Sequence, residues 1–241
     1  MSRNKYDFTI LSELKLEYPP VGVRFSPLPP DNLPRLNDKL TLCEMLVTAQ
    51  KGKLFYADKE NHTCEAGLYV LGQGRINKPF LDGRYGAGLK IYSSTRASSR
   101  LYQHIPVLEP GIVDYLAFSS LEQADFEPDL IIMVADTDQT EIILRALSYN
   151  TGEVWTSRYT PAIGCAWIYV YPYKTGKLNY SITGLGHGMK RRKLYPQGKQ
   201  IVSIPSDLFP LILSALNEME WELPAYKQGG DVFIKKLIES M

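Results

Sequence analysis

The sequence has few cysteines and little net charge, and each shortage excludes a class of protein. The 241 residues contain three cysteines, and the formal net charge is +1. Three cysteines cannot form a disulfide framework, because an odd number leaves one thiol unpaired. A net charge near zero gives no overall attraction for nucleic acid or for an anionic membrane surface. We therefore expect no nucleic-acid partner, and cysteines that are core residues, nucleophiles or metal ligands.

The sequence also lacks a long apolar run. The longest apolar stretches, such as LIIMVA at residues 130–135, have the length of a strand, whereas a membrane-spanning helix needs about 20 apolar residues. The first residues carry scattered charges and no apolar run before a small-residue cleavage site, so we predict no signal peptide. We expect a cytoplasmic protein without a membrane partner.

Predicted strands and helices alternate along most of the chain. Short apolar runs such as VGVRF at residues 21–25 predict strands, and apolar residues at helical spacing predict helices, for example over residues 137–149. Five glycines within residues 72–88 predict a long loop. The predicted fold class is α/β or mixed α+β, a layered sheet with interleaved helices in a single domain over residues 1–241.

A short pattern occurs twice and suggests an internal repeat. A cysteine, a Gly-Lys-Leu-x-Tyr segment and a histidine follow one another from Cys43 and again from Cys165. A duplication, with half-repeats over about residues 18–90 and 110–205 and a pseudo-two-fold axis, would explain the pattern. Chance similarity is the alternative. In a true repeat the two cysteine-bearing helices would be structurally equivalent.

The surroundings of the cysteines favour metal ligands, although a lone cysteine is more often a core residue. Cys43 and Cys165 fall in the first turns of predicted helices, where backbone dipoles favour a thiolate. The second of these helices is predicted to begin at a Thr-Pro pair at residues 160–161. Cys64 begins its own predicted helix. Gly67 and Gly164 remove side-chain bulk near two of the cysteines and would let a cofactor approach the backbone.

Several of these motifs together resemble the domain of unknown function 169 family. They are Tyr-Pro-Pro-Val-x-Val near the start, a cysteine-bearing helix followed by Gly-Lys, Glu-Asn-His-x-Cys ending at Cys64, and Phe-x-Pro-Asp at residues 126–129. The resemblance covers about residues 13–220. It implies that Cys43, Cys64 and Cys165 are family features, and it implies no particular reaction.

Three cysteines from separate segments, with no fourth, suit a 4Fe–4S cluster that keeps one iron open to a substrate. The open iron would act as a Lewis acid in an elimination, a dehydration or a desulfuration. A tetrahedral zinc with His62 or His187 as the fourth ligand is one alternative, although zinc ligands usually come in close pairs. A nucleophilic Cys64 activated by His62 is another alternative, and inert thiols are a third.

A basic, glycine-rich segment is the second candidate site. TGLGHGMKRRK at residues 183–193 places glycines and a histidine before a run of positive charges. Backbone N–H groups and basic side chains can hold a carboxylate or a phosphate, and a solvated basic turn is the alternative. The segment is not predicted to be a dinucleotide-binding loop, because no helix is predicted after it. It also departs from the pattern of the family that the sequence resembles. The residues predicted to bind the substrate are Gly184, Gly186, Gly188, Lys190, Arg191 and Arg192.

The sequence thus predicts an iron–sulfur enzyme that acts on a small anionic molecule. Cys43, Cys64 and Cys165 would hold the cluster, and His62 and His187 would transfer protons or support the ligands. The second hypothesis is a non-catalytic protein that uses the same pocket to bind a ligand or a metal such as zinc. A homodimer is compatible with both hypotheses.

Overall fold

A six-stranded antiparallel sheet organises the protein. The computed structural model describes residues 7–182 and 186–241, and every pair of neighbouring sheet strands in these ranges is antiparallel. The strands are β1 (Val21–Ser26), β2 (Phe55–Asp58), β3 (Tyr115–Ser120), β4 (Leu130–Ala135), β5 (Asn179–Ser181) and β6 (Gln200–Pro205). Their order across the sheet is β2-β3-β1-β4-β6-β5. The mixed α+β alternative of the predicted fold class is confirmed, because an α/β fold would have parallel strands.

Helices lie mostly in the connections between the strands. The α-helices in the described ranges are α1 (Leu42–Gln50), α2 (Glu65–Val70), α3 (Lys78–Leu81), α4 (Arg84–Gly88), α5 (Thr95–Arg100), α6 (Thr137–Tyr149), α7 (Tyr171–Thr175), α8 (His187–Arg192), α9 (Phe209–Glu218), α10 (Pro224–Gln228) and α11 (Gly230–Glu239). A π-helix, Ala166–Val170, runs directly into α7. Short 3-10 turns occupy Thr9–Leu14, Lys59–Asn61, Leu101–Gln103, Leu121–Gln123 and Ser206–Leu208. Among the described residues, no helix combines the length and the apolar character that crossing a membrane requires.

The central strand β4 separates two hydrophobic cores, because successive side chains of a strand point to opposite faces of the sheet. Ile132 and Val134 belong to the core on the face that carries α1 and the π-helix. Ile131 and Met133 belong to the core on the other face, together with residues of α6 and α9. Every residue of β4 is buried. Burial on both faces explains why its sequence is a continuous apolar run and not an alternating one.

Polar residues in the first turn define where α1 and α6 begin. The Thr41 hydroxyl accepts a hydrogen bond from the backbone N–H of Glu44, and the Glu44 carboxylate accepts one from the Thr41 N–H at 2.8 Å. Asp136 and Gln139 form the same capping box at α6. A cap of this kind contributes about 1 kcal/mol. The first cap makes Leu42 the first residue of α1 and so places Cys43 in its first turn.

Several local predictions are wrong. Residues 72–88 are not one long loop, because α3 and α4 lie within them. The helix predicted from Thr160 begins only at Gly164. Instead of capping, the Thr160 hydroxyl donates a hydrogen bond to the Ala162 carbonyl and accepts one from Trp167 Nε1 at 2.7 Å. A helix does follow the second glycine-rich segment, as α8. This helix has six residues, too few for a helical period to be visible in the sequence.

The strand order is symmetric, but its halves divide differently from the predicted half-repeats, because β3 lies within the second one, over about residues 110–205. From one edge inwards the strands are β2, β3 and β1, and from the other edge they are β5, β6 and β4. In each half the first strand lies at the centre, the second at the edge and the third between them. β1 and β4 pair antiparallel at the centre, as a two-fold axis perpendicular to the sheet would place them. The duplication itself stays a prediction.

Gly83 controls the contact between α4 and α5, and its substitution should open that contact. Its φ is +83°, and a Cβ there would lie 2.0 Å from the Thr95 carbonyl oxygen. We therefore expect Gly83→Ala to lower the free energy of unfolding by more than about 1 kcal/mol. Hydrogen exchange should become faster over residues 78–104. Urea denaturation and hydrogen–deuterium exchange measure the two effects.

Gly88→Ala is the matched control for this substitution. Gly88 ends the same helix, its φ is not in the left-handed region, and a Cβ there would meet nothing within 4 Å. Alanine suits a helix better than glycine, so this variant should be at least as stable as the wild type. Equal losses of stability in the two variants would show that the left-handed backbone and the close contact at Gly83 are unimportant.

Candidate functional site

All three cysteines line one cavity on the α1 side of the sheet. The cavity has a volume of about 460 Å³ and a mostly apolar lining. Small-molecule sites in proteins usually enclose roughly 300–1,000 Å³. Cys43, Cys64 and Cys165 belong to three different segments and are partly accessible from the cavity. The fold thus brings together three thiols that lie far apart in the sequence.

Cys43 is held by the first turn of α1. It is the second residue of the helix, and the Thr41 hydroxyl lies 3.6 Å from its sulfur, within hydrogen-bond distance. Leu42 and Met45 of the same turn are buried in the core. The Leu42 carbonyl accepts a hydrogen bond from the buried hydroxyl of Tyr169 at 3.2 Å. Cys43 is therefore fixed by both the cap and the core.

Cys64 immediately precedes α2, one residue before the helix begins, whereas the sequence predicted it as the first helical residue. It occupies the N-cap position, but its sulfur makes no capping hydrogen bond. The preceding chain is anchored by the buried Asn61, whose side-chain amide donates to the Leu36 carbonyl at 2.7 Å and to the Asp38 carbonyl at 3.1 Å. This anchor positions the backbone at Cys64 and leaves the sulfur available to a group in the cavity.

Cys165 lies between two irregular stretches of backbone. Ile163 has φ +57°, in the left-handed region. For a β-branched residue this conformation costs about 1–3 kcal/mol. The π-helix Ala166–Val170 begins directly after Cys165, and π-helices occur frequently at functional sites. Strain on one side and a π-helix on the other indicate that this backbone is shaped to present the thiol and not chosen for stability alone.

The three thiols interact electrostatically. Burial raises the pKa of Cys165, and negative charge on Cys64 and Cys43 raises it further. Burial also raises the pKa of Cys43, opposed by the Thr41 hydroxyl and reinforced by Cys64. These two residues are therefore neutral thiols at pH 7 when no cation is bound. A metal centre would have to displace their protons and would in return neutralise the repulsion.

Helix α8 supplies a basic wall of the same cavity. Gly186, Gly188 and Met189 line the cavity, together with Arg191 and Arg192. Arg192 joins α8 to α1, because its Nε lies 3.7 Å from Glu44 Oε2 and its Nη1 donates to the Gly188 carbonyl at 3.0 Å.

The residues predicted to bind an anion differ in how they are placed. Within residues 7–182 and 186–241, Arg191 has no ion-pair or hydrogen-bond partner although it lines the cavity. Lys190 is exposed and is not among the lining residues. Gly184 lies outside the described residues. Arg191 is therefore the cation of this segment that is available to a ligand.

The two candidate histidines have different positions. His187 lines the cavity, and its Nε2 is buried without a hydrogen-bond partner. His62 is 9% exposed and does not line the cavity. A Cβ on Gly67 would lie 3.8 Å from His62 Nδ1, so the imidazole packs behind α2. Burial lowers the pKa of His62 to about 4, and the ring is neutral at pH 7.

Gly67 and Gly164 both line the cavity, as the cofactor prediction requires. A Cβ on Gly67 would approach Leu42 Cδ1 to 3.4 Å, an ordinary contact distance. The protein itself therefore has no strong steric need for a glycine at this position.

The sequence did not lead us to predict that aromatic side chains form one wall of the cavity. Phe80, Tyr85, Tyr92 and Tyr102 all line the cavity. They lie in and around α3, α4 and α5, which the glycine pattern had assigned partly to a loop. The available signal was the frequency of aromatic residues in an otherwise polar, glycine-rich stretch.

The fold and the cavity define a mixed α+β protein with three convergent thiols. The profile of the domain of unknown function 169 family, described as uncharacterised ArCR, matches residues 9–215. The chain belongs to this family, and the resemblance seen in its motifs is confirmed.

One curated relative extends this comparison. The chain is similar to MJ0308, an uncharacterised protein of Methanocaldococcus jannaschii, with 26% identity over 125 residues, 51% of this chain and 53% of that protein. The similar region thus spans about half the length of the relative. No solved structure matches the chain.

Proposed function

We propose that the protein is an iron–sulfur enzyme that holds a 4Fe–4S cluster through Cys43, Cys64 and Cys165. The observation that carries the proposal is the convergence of these three thiols, from three separate segments, on one cavity. They are the three cysteines of the whole sequence. Packing alone gives no reason for every thiol of a chain to line the same cavity.

A cluster makes a different demand on the spacing of its ligands than a single metal ion does. Within the described ranges, no three histidine, cysteine, aspartate or glutamate side chains are grouped closely enough to hold one metal ion. The ligands of one zinc ion must all lie about 2.0–2.3 Å from it. In a 4Fe–4S cluster each cysteine binds a different iron, so the sulfurs stand farther apart. Cys43, Cys64 and Cys165 influence one another electrostatically, which supports placing them as the ligands of one such centre.

The surroundings of the thiols support the same proposal. Cys43 and Cys165 lie in the first turns of helical segments and Cys64 lies at an N-cap, where backbone N–H groups favour negative charge. The lining is mostly apolar. A positively polarised site favours thiolate ligands over free thiols once iron is present.

The remaining side chains can be given roles by their positions. A three-cysteine cluster supplies an open iron that acts as a Lewis acid toward a substrate oxygen, sulfur or nitrogen. Arg191 would bind the anionic group of the substrate, and His187 would hold or transfer a proton at Nε2. His62 would support Cys64 from behind α2 and would not touch the substrate. Elimination, dehydration and desulfuration are the reactions that this arrangement supports best.

Metal and sulfide analysis after anaerobic purification tests the proposal. We expect a brown protein with about four irons and four sulfides per chain, whose visible absorption fades in air. A colourless protein with one zinc per chain and no sulfide would contradict the proposal. It would favour the second hypothesis, a non-catalytic metal-binding protein. A protein without any metal would leave a ligand-binding function for the same cavity.

A further inference from the structure

One wall of the cavity consists of aromatic side chains and contains no cysteine. Phe80, Tyr85, Tyr92 and Tyr102 line it. The rings of Phe80 and Tyr85 stack with their centroids 4.1 Å apart and an interplanar angle of 22°. Flat aromatic surfaces of this kind pack well against a flat ligand ring.

The aromatic wall is built rigidly. Gly86 of α4 faces α5 so closely that a Cβ there would lie 2.4 Å from Ser98 Oγ. Gly83 approaches the start of α5 even more closely, since a Cβ there would lie 2.0 Å from the Thr95 carbonyl oxygen. Ser98 is buried, and both Gly86 and Ser98 line the cavity. The wall is therefore a tightly packed surface that a ligand would meet already formed.

Several polar groups of the cavity can donate hydrogen bonds to a ligand. The Arg191 guanidinium can only donate. The hydroxyls of Tyr92 and Tyr102 have no hydrogen-bond partner in the part of the chain that the structure describes. Burial, and the nearby phenols of Tyr69, Tyr92 and Tyr85, raise the pKa of Tyr102, which therefore remains protonated at neutral pH. A ligand that satisfies these donors must carry acceptor atoms.

The carboxylate of Glu65, the acidic side chain that lines the cavity in the described ranges, already has a hydrogen-bond partner. Both carboxylate oxygens of Glu65 accept a hydrogen bond from Asn77 Nδ2, each at 2.8 Å. Arg192 is similarly engaged by Glu44. Among the described residues that line the cavity, Arg191 is the cation left for the ligand, and one guanidinium matches one carboxylate in its bidentate geometry.

We infer that the substrate is a small monocyclic aromatic carboxylic acid, with its ring on the Phe80–Tyr102 wall and its carboxylate at Arg191. The inference rests on the proposed function for the reaction at the thiol side of the cavity. Recognition of the ring and the carboxylate requires no metal. The cavity volume of about 460 Å³ is large enough for one ring beside a metal centre.

Calorimetric titration of the full chain, purified anaerobically, tests the inference. The probes are benzoate, 4-hydroxybenzoate and nicotinate. Cyclohexanecarboxylate keeps the charge without the aromatic ring, and benzamide keeps the ring without the charge. We expect at least one aromatic acid to bind about ten-fold more tightly than both control compounds.

Arg191 and Lys190 provide a matched pair of variants. Arg191→Gln should weaken the binding of the aromatic acid about ten-fold and leave the weak binding of benzamide unchanged. Lys190→Gln removes a neighbouring charge that does not line the cavity, and it should have no effect. Tyr85→Leu should weaken benzoate more than cyclohexanecarboxylate, because it removes an aromatic surface and not a charge.

Three results would overturn the inference: no binding of any aromatic acid, equal affinity for cyclohexanecarboxylate, or unchanged affinity in Arg191→Gln. Iron and sulfide are measured on the same samples, so that the two proposals are judged separately. A protein that holds the cluster but binds no aromatic acid refutes the substrate class alone. A metal-free protein that binds aromatic acids through Arg191 refutes the iron–sulfur function alone.

Discussion

Replacing any one of the three cysteines by serine should remove most of the iron and sulfide from the protein. Serine nearly preserves the size of the side chain, but its hydroxyl is a much poorer iron ligand than a thiolate. Loss of a group that only supports a metal ligand already lowers metal affinity about 10–100-fold, and loss of a ligand should cost at least as much. Cys43→Ser, Cys64→Ser and Cys165→Ser should therefore behave alike in iron and sulfide analysis.

Met189→Leu is the control for these variants. Met189 is a sulfur-containing residue that also lines the cavity and is 6% exposed, but it is not a proposed ligand. The substitution conserves volume, so both fold and iron content should be retained. Far-ultraviolet circular dichroism and urea denaturation show whether the serine variants remain folded. Iron loss in only one of the three, with the fold intact, would show that the thiols do not act as one ligand set.

The metal-free protein should lose about 3 kcal/mol of stability through His62 as the pH falls from 7 to 4. Burial lowers the pKa of His62 to about 4, below its ordinary value of 6.5. The unfolded chain therefore binds a proton near pH 6.5, while the folded chain resists protonation until about pH 4. The stabilisation is complete above pH 6.5 and disappears as the pH falls through this window. Urea denaturation at several pH values measures it.

His62→Gln isolates this contribution from that of the carboxylates. Glutamine does not titrate, so the variant should show a shallower loss of stability between pH 6.5 and 4 than the wild type. His104→Gln is the matched control, because His104 is exposed and its replacement should leave the pH dependence unchanged. Identical slopes for the wild type and His62→Gln would contradict the burial of a neutral imidazole.

The elements that the sequence predicts well are those with a strong local pattern. β4 and α6 occur where their apolar run and their helical period place them. Short helices such as α3, α4 and α8 lack a visible period, and glycines within or beside them suggested loops. The sheet order depends on pairing between distant strands, for example β1 with β4, and no local signal in the sequence encodes it.

The candidate site was predictable where chemistry restricts the residue type. Cysteine is rare in this chain, and its three positions could be grouped before their convergence on one cavity was known. For residues that are adjacent or nearly adjacent in the sequence, it was harder to predict which one lines the cavity. Lys190 and Arg191 look equivalent in a basic run and both are exposed, yet Arg191 also lines the cavity and Lys190 does not. His62, two residues from Cys64, points behind α2, because closeness along the chain does not fix side-chain direction.

The positions of the thiols relative to the sheet have a consequence for how the molecule comes apart. Cys43 belongs to α1, which packs on β1 and β3, whereas the π-helix after Cys165 packs on β5 and β6. An inorganic centre bound to all three sulfurs would act as a cross-link between the two halves of the sheet. Loss of the centre would remove this cross-link and lower the stability of the fold. The lifetime of the chain in the cell would then depend on the supply of iron and sulfide.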